Sequence, residues 1–599
     1  MTASLDPATQ EIVRNAMLNI TNEMQATVMN AAYSLLWQEA GDLSNAILTR
    51  ECELVAQPDR VIPAHLATMS LGLQSALDKL GGVDALDSED VLVANNPYMG
   101  NNHIPDVMVA RPCVVDDETI GFTAVRGHWI DAGGRYPTSH SPVVESIYEE
   151  GQILPTTRAF VDGDLQPFVE DLVENNVRQS EKVLGDFKAQ KAGVDRGVER
   201  LQALVGQYDF ETVRRSMQRI LDNAETRMRD AIGALPDGEY RASDRIDNDG
   251  VTDQPYTVSV SITVDGETLA VDFAGSDEQA VGGVNSPWGS TLCAVYYGVI
   301  TMLTPGDPGN SGTYRAVNVS APEGSIVKPT FPAPVVAGNH ETGSRIVDVV
   351  VRALADAIPE NAYAAGDGSS NIFNYFGEVD GSAFQNTTVH GGGSGAHSSG
   401  DGQNAIRNGI GNTGMASVER EETQYPVRVD RYDLVTDSGG AGRHRGGLTA
   451  TKVTRFLTEM GFLLVADRAH DPPFGLSGGE PGPPAVHELE RADGSVENLP
   501  SKTGRIPVSA GDRLHFTAAG GGGFGSPTER DPERVLDDVR NGYVSVDAAR
   551  ERYGVTVVET DEGYGLDNGS GESDPADSSG ESDLTDSSDN TSSTTPGGE

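Results

Sequence analysis

Two runs rich in branched and aromatic residues, VMVARPCVV (107–115) and TIGFTAV (119–125), flank the acidic turn Asp116-Asp117-Glu118. This is the pattern of a β-hairpin, and a hairpin fixes what stands opposite what. With its tip at Asp116 to Glu118, the ladder sets His128 opposite Pro105 to Val107. Opposed residues on a ladder are about 5 Å apart. His103 and Asp106 lie on the loop entering the first strand, and Pro105 excludes a continuous helix there. Two imidazoles and a carboxylate therefore converge without any long-range assumption.

Such a set leaves coordination positions open for water or substrate. An open metal position acidifies bound water and polarises a carbonyl oxygen. The spacing His103-x-x-Asp106 recurs as His128-x-x-Asp131, so Asp131 is expected either to orient His128 or to act as a base. Chance remains an alternative on spacing alone, because a chain with 11 histidines and many aspartates produces such pairs by accident. His65, in VIPAHLATM, is open between a site role and a buried structural role.

The rest of the chain reads as α+β: a large multilobed mixed α/β protein with hairpin-rich central sheets and flanking helices. At 599 residues it is long for one compact core. The N-terminal part, about 8–85, opens with a long helix capped by Asp6 with Pro7 in its first turn. Apolar residues recur at Ile12, Ala16, Ile20, Met24, Val28, Ala32 and Leu36, beside Val13, Met17 and Leu35. A period of four drifts around a straight helix, so a bend or break is expected. The hairpin region spans about 90–135. Helical periodicity returns from about 175 to 232, strands surround YTVSVSITVDGETLAVDFAG, and a helix is expected over about 344–357. A Gly-rich β part occupies about 365–528, and a helical pair starting with Asp531-Pro532 follows. Residues 1–557 form the folded region. The acidic, Ser-rich stretch 558–599 has too little apolar surface to offset its ordering entropy and is expected to be disordered.

Charge narrows the function classes. There are 90 acidic and 43 basic residues, a net charge of −47, and only seven lysines. A surface of that sign repels nucleic acid and anionic membranes. Acid spread along the chain, with arginine in place of lysine, points to a halophilic, salt-rich cytoplasm. No apolar run approaches the roughly 18 residues of a membrane span. The N-terminus has no signal-peptide pattern, so a soluble cytoplasmic protein is expected. Cys52, Cys113 and Cys293 are too few and too scattered for a disulfide framework or zinc knuckle. GLSGG (475–479) lacks the strand–turn–helix context of a nucleophile elbow. The glycine clusters at 391–397, 438–447 and 520–525 fit anion cradles or packed loops. None ends in Gly-Lys-Ser/Thr, so no phosphate-binding loop for ATP is present.

Several ordered blocks resemble the hydantoinase B/oxoprolinase family over about residues 8–557. They are GDLSNAILTRECELVAQPDRVIPAHLATM, NNPYMGNNHIPDVMVARP, RGHWIDAGG, IYEEGQILP, DFAGSDEQAVGGVNSP, APEGSIVKPTFPAPVVAGNHETGSRIVDVV, YPVRVDRYDLVTDSGGAGRHRGG and GGGGFGSPTERDPERVLDDVRNGYVS. The resemblance implies the B subunit of an ATP-dependent cyclic-amide hydrolase acting on hydantoin- or 5-oxoproline-type lactams. An A-type ATPase partner would bind the ATP and phosphorylate the amide oxygen, in a hetero-oligomer. The resemblance also implies a divalent metal, zinc, manganese or iron, on His103, Asp106 and His128, with Asp42 as a fourth ligand. Asp131 and His65 are the expected proton carriers. Related ketone carboxylases offer an alternative as an alpha-type subunit, and a non-catalytic scaffold subunit is a second alternative. The chain departs from the usual DPYxGGTH at Asn96 and in GNNH, which keeps the ligand spacing but changes the pocket's hydrogen bonding.

Overall fold

The computed structural model describes residues 6–567 other than 408 and 562. The tail from 568 to 599 lies outside them. A seven-stranded antiparallel sheet carries the hairpin. Its strands are β1 Leu43–Thr49, β2 Leu54–Ala56, β3 Val91–Ala94, β4 Asp106–Val115, β5 Glu118–His128, β6 Thr157–Val161 and β7 Asp164–Leu165. They run in the order β2-β1-β5-β4-β3-β6-β7. β4 and β5 pair with Asp106 opposite His128 and Val115 opposite Glu118, the register expected from the tip, with one irregularity at Cys113/Val114. Asp116 and Asp117 both take positive φ, 49° and 65°. Two such residues twist a tight hairpin turn the way its strands twist.

Both faces of this sheet are buried, each by its own helices. Val107, Val109, Cys113 and Val125 pack on the helices Pro7–Ala31 and Ser180–Tyr208 through Met17, Met24, Val28, Phe187 and Val198. Met108, Ala110, Phe122 and Ala124, alternating with the first set, pack on the helix Leu66–Leu80 through Met69, Leu73 and Leu77. Alternation along the strand is what sends successive side chains to opposite layers. Burial on both sides stiffens β4 and β5, which carry two of the three converging groups.

The first helix starts as expected: Asp6 accepts from the Thr9 amide at 3.1 Å and Pro7 lies in the first turn. It ends at Ala31, and a short helix, Leu35–Gln38, follows, so the expected break occurs. The buried stripe is Val13, Met17, Ile20, Met24 and Val28, whereas Ile12 is 51 % exposed. Steps of three and four together follow the 3.6-residue turn, which a strict period of four does not.

Beyond the first sheet, a four-stranded sheet (238–272 and 317–320) includes one parallel pairing, Leu269 with Val317. It packs on the helices Trp288–Leu303 and Gly343–Leu354. The Gly-rich part forms two further sheets, of four and five strands, between 372 and 517. Its glycine clusters pack against each other rather than opening as cradles. A Cβ on Gly393 would lie 1.9 Å from the Gly447 carbonyl oxygen, and one on Gly446 would lie 2.0 Å from that of Gly521. The closing helices are Pro532–Arg540 and Val546–Tyr553, the first capped by Asp531. Residues just beyond depart from the expectation of disorder from 558. Val557–Thr560 and Gly563–Leu566 pair antiparallel, and Arg540 donates to the Tyr564 carbonyl at 2.9 Å.

Candidate metal centre

Asp106 opens β4, His128 closes β5, and His103 sits on the turn before β4. Their ligand atoms form a group all within 4.8 Å of one another. His103 Nε2 is 3.0 Å and His128 Nδ1 3.1 Å from Asp106 Oδ1, and the two nitrogens are 3.1 Å apart. The three side chains are buried, at 6 % exposure or less. Bonds of about 2.1 Å meeting at right angles put ligand atoms about 3.0 Å apart, against about 3.4 Å at the tetrahedral angle. The three ligand atoms are within reach of a single ion.

Hydrogen bonds fix the protons. His103 Nδ1 lies 2.6 Å from the Val336 carbonyl, an acceptor only, so Nδ1 carries the hydrogen. Its Nε2 then faces Asp106 with a lone pair when the ring is neutral. A lone pair directed at a carboxylate needs a cation between them, and an orienting carbonyl on the far nitrogen is the usual support of a metal-binding imidazole. A proton can serve as that cation. Burial favours neutral groups, but the attraction between His103 and Asp106 outweighs it, raising the His103 pKa and holding the Asp106 carboxyl well below the usual range.

Asp106 divides its work between two oxygens. Oδ1 faces the imidazoles; Oδ2 takes His65 Nε2 at 3.2 Å and Asn102 Nδ2 at 3.0 Å. The carboxylate accepts from His65 Nε2–H, so His65 Nδ1 accepts from the Ser44 hydroxyl at 3.1 Å. The asparagines of NNPYMGNNH support this arrangement. Asn102 braces Asp106, Asn101 accepts from buried Arg126, and Asn96 caps the turn by accepting from the Tyr98 amide at 3.0 Å. Trp37 donates its indole N–H to the His128 carbonyl at 2.8 Å and pins the end of β5.

The cavity over the triad is small, about 50 Å³, and is lined by Asp42, His65, His140, Asn339, His340 and Arg407 among others. Asp42 stands in its wall, outside the three-residue ligand group. Its backbone carbonyl accepts from the His128 amide at 3.2 Å. Asp131 is not brought to the cavity. The chain leaves the sheet after His128, and the buried Asp131 carboxylate takes Ser139 Oγ at 3.0 Å, the Arg178 amide at 2.7 Å and the Arg178 guanidinium at 3.0 Å. The expected pairing with His128 is therefore corrected: Asp131 fastens the loop leading to His140. His65 is in place, but committed to Asp106 rather than open to a substrate.

His140, Asn339, His340, Glu341 and Arg407 escaped the sequence reading. Asn339, His340 and Glu341 are consecutive, but no short spacing links them to His140 or Arg407. The available signal was that His340 and Glu341 lie in one of the family-like blocks.

The family described as Hydantoinase B/oxoprolinase matches residues 6–527. An uncharacterized protein of Methanocaldococcus jannaschii is 33 % identical over 94 % of this chain and 98 % of its own. The crystal structure of an ATP-dependent caprolactamase from Pseudomonas jessenii superposes with a TM-score of 0.87 at 28 % identity, covering 94 % of this chain and 98 % of that one. An acetone carboxylase structure reaches the same TM-score, 0.87, at 18 % identity over 94 % and 82 % of the two chains, a likeness of fold.

Proposed function

This chain belongs to the hydantoinase B/oxoprolinase family, and on that premise we propose that it is the B-type subunit of an ATP-dependent cyclic-amide hydrolase. The observation that carries the reading is the buried His103–Asp106–His128 face, opening on a cavity, in a chain similar along its length to an ATP-dependent caprolactamase.

An unstrained amide is stabilised by resonance and resists water. A phosphoryl group placed on its oxygen by an ATPase partner removes that stabilisation and makes the ring carbon electrophilic. The first water then opens the ring as nitrogen takes up a proton, and a second releases phosphate. This chain carries no Gly-Lys-Ser/Thr sequence, which supports assigning ATP to the partner.

His103, Asp106 and His128 would hold a divalent cation, and Asp42 would join them only by turning in from the cavity wall; zinc, manganese and iron all suit this donor set. Such a cation, when bound, would polarise a substrate oxygen and acidify water. The chain's own groups do the positioning. His65 and Asn102 keep Asp106 Oδ1 turned to the imidazoles, the Val336 carbonyl keeps the His103 proton on Nδ1, and Trp37 holds the strand end. Burial of the triad keeps these charges in a low-dielectric setting where they act strongly.

The test is co-expression with an A-type ATPase subunit and a screen of hydantoins, 5-oxoproline and larger lactams. ATP-dependent ring opening without bicarbonate supports the reading. Turnover of a ketone that requires bicarbonate would replace it with the carboxylase alternative. A purified complex without bound metal or turnover would leave only a scaffold role.

A further inference from the structure

We infer that His140 and His340 hold a second divalent cation, of the zinc type, beside the one assigned to His103, Asp106 and His128. The catalytic use of this centre rests on the hydrolase reading; the metal count tests it independently.

The two imidazoles come from positions 200 residues apart and meet Nε2 to Nε2 at 2.7 Å, a hydrogen-bond distance that a shared cation would widen to about 3.0–3.4 Å. Both rings are buried, at 3 % and 6 % exposure, and both line the triad's cavity. His340 Nδ1 lies 2.9 Å from Glu341 Oε1, which also accepts from the Ser370 amide and Ser369 Oγ, each at 3.1 Å. A carboxylate oxygen with two other donors is an acceptor, so His340 Nδ1 carries the hydrogen and Nε2 presents its lone pair toward His140. A carboxylate behind an imidazole, fixing its tautomer, is the outer shell of histidine metal sites. The Val336 carbonyl does the same for His103 on the other side of the cavity.

Two more observations point to a ligand here. Asn339 Oδ1 is buried without a partner in the same cavity, a third donor of suitable chemistry. Residues Gly338–Thr342 form a widened π turn before the helix Gly343–Leu354, a distortion frequent at functional sites. Burial, and for His140 the neighbouring imidazoles, push both pKa values down, keeping the rings neutral as ligands must be.

One ion does not serve both groups. Ligands on opposite sides of one ion are at most about 4.2 Å apart, and the set of ligand atoms mutually within 4.8 Å holds only His103, Asp106 and His128 among the described residues. The His140 ring centroid is 5.3 Å from that of His103 and 5.5 Å from that of His128, so the second cation would neighbour the first. Paired cations in hydrolytic centres sit about 3.5–4 Å apart and clamp the attacking and leaving atoms together.

The experiment is equilibrium zinc titration of the chelated full chain by calorimetry, with bound zinc counted by elemental analysis. Wild type should bind two equivalents. His140→Ala and His340→Ala should each bind one, and His128→Ala should lose the other. Glu341→Gln should weaken the second equivalent about 10–100-fold and spare the first, a check that survives if an alanine variant fails to fold. One equivalent in wild type, or two of unchanged affinity in every His140, His340 and Glu341 variant, would overturn the inference and reduce the pair to a hydrogen bond between imidazoles.

Discussion

Replacing Asn102 with alanine isolates what the bracing of Asp106 contributes. Asn102 is fully buried, and its Nδ2 donates to Asp106 Oδ2 at 3.0 Å while its own oxygen is held by Ser290 Oγ at 3.4 Å. The variant leaves Oδ2 with His65 alone and leaves Oδ1, the oxygen facing His103 and His128, untouched. A hydrogen bond to a charged group contributes about 1.5–3 kcal/mol. At about 1.4 kcal/mol per tenfold, that is roughly 10–150-fold in cation affinity, close to the roughly 10–100-fold typical of outer-shell losses. The assay is competitive titration of zinc or manganese against a chelator of known affinity. At saturating metal the assembled complex should keep turnover within a few-fold, since every ligand remains. Affinity within about threefold of wild type would refute the claim that Asn102 positions the carboxylate. Loss of turnover at full occupancy would give Asn102 a direct role in the reaction.

Other expectations follow from packing and charge. Gly127→Ala places a Cβ 2.2 Å from Trp37 Cζ2, where a ring pinning β5 must move; it should cost about 1–3 kcal/mol in thermal or urea unfolding. Gly206→Ala, in a helix with nothing within 4 Å, should instead stabilise by about 0.5–1 kcal/mol. Asp131→Asn should lower stability by about 1–3 kcal/mol and leave metal content unchanged. Burial raises the Asp131 pKa despite Arg178, so its ionisation linkage favours the fold most below the unfolded value of about 3.9 and fades as pH rises through the folded value. The variant should remove that slope from the acid side of a stability–pH curve. With a net charge of −47, the unfolding midpoint should rise with KCl toward 1 M, where the screening length falls to about 3 Å; greatest stability in dilute buffer would contradict this.

What the sequence made legible was local. The hairpin's register needed only a turn and two alternating runs, so Asp106 and His128 could be paired from their positions, and His103 was tied to them by Pro105. Caps at Asp6 and Asp531 were readable for the same reason. The error over Asp131 came from treating two His-x-x-Asp spacings as equivalent. In one the chain is entering a strand; in the other it is leaving, and Asp131 turns to Arg178 and Ser139 instead. His140 and His340 were illegible because their meeting depends on a loop fastened through Ser139 and on a π turn some 200 residues later. The hairpin at 557–566 was hidden by acidic composition, although Val557 and Val558 followed by Gly-Tyr-Gly carried a strand signal.

The most direct measurement is ATP-dependent ring-opening velocity in the purified two-subunit complex, followed as metal occupancy is titrated from the chelated state, for wild type and His128→Ala. Velocity rising in proportion to occupancy in wild type, with neither tight metal uptake nor turnover in the variant, is the expected result. Full turnover in the chelated complex, or in His128→Ala, would contradict the account.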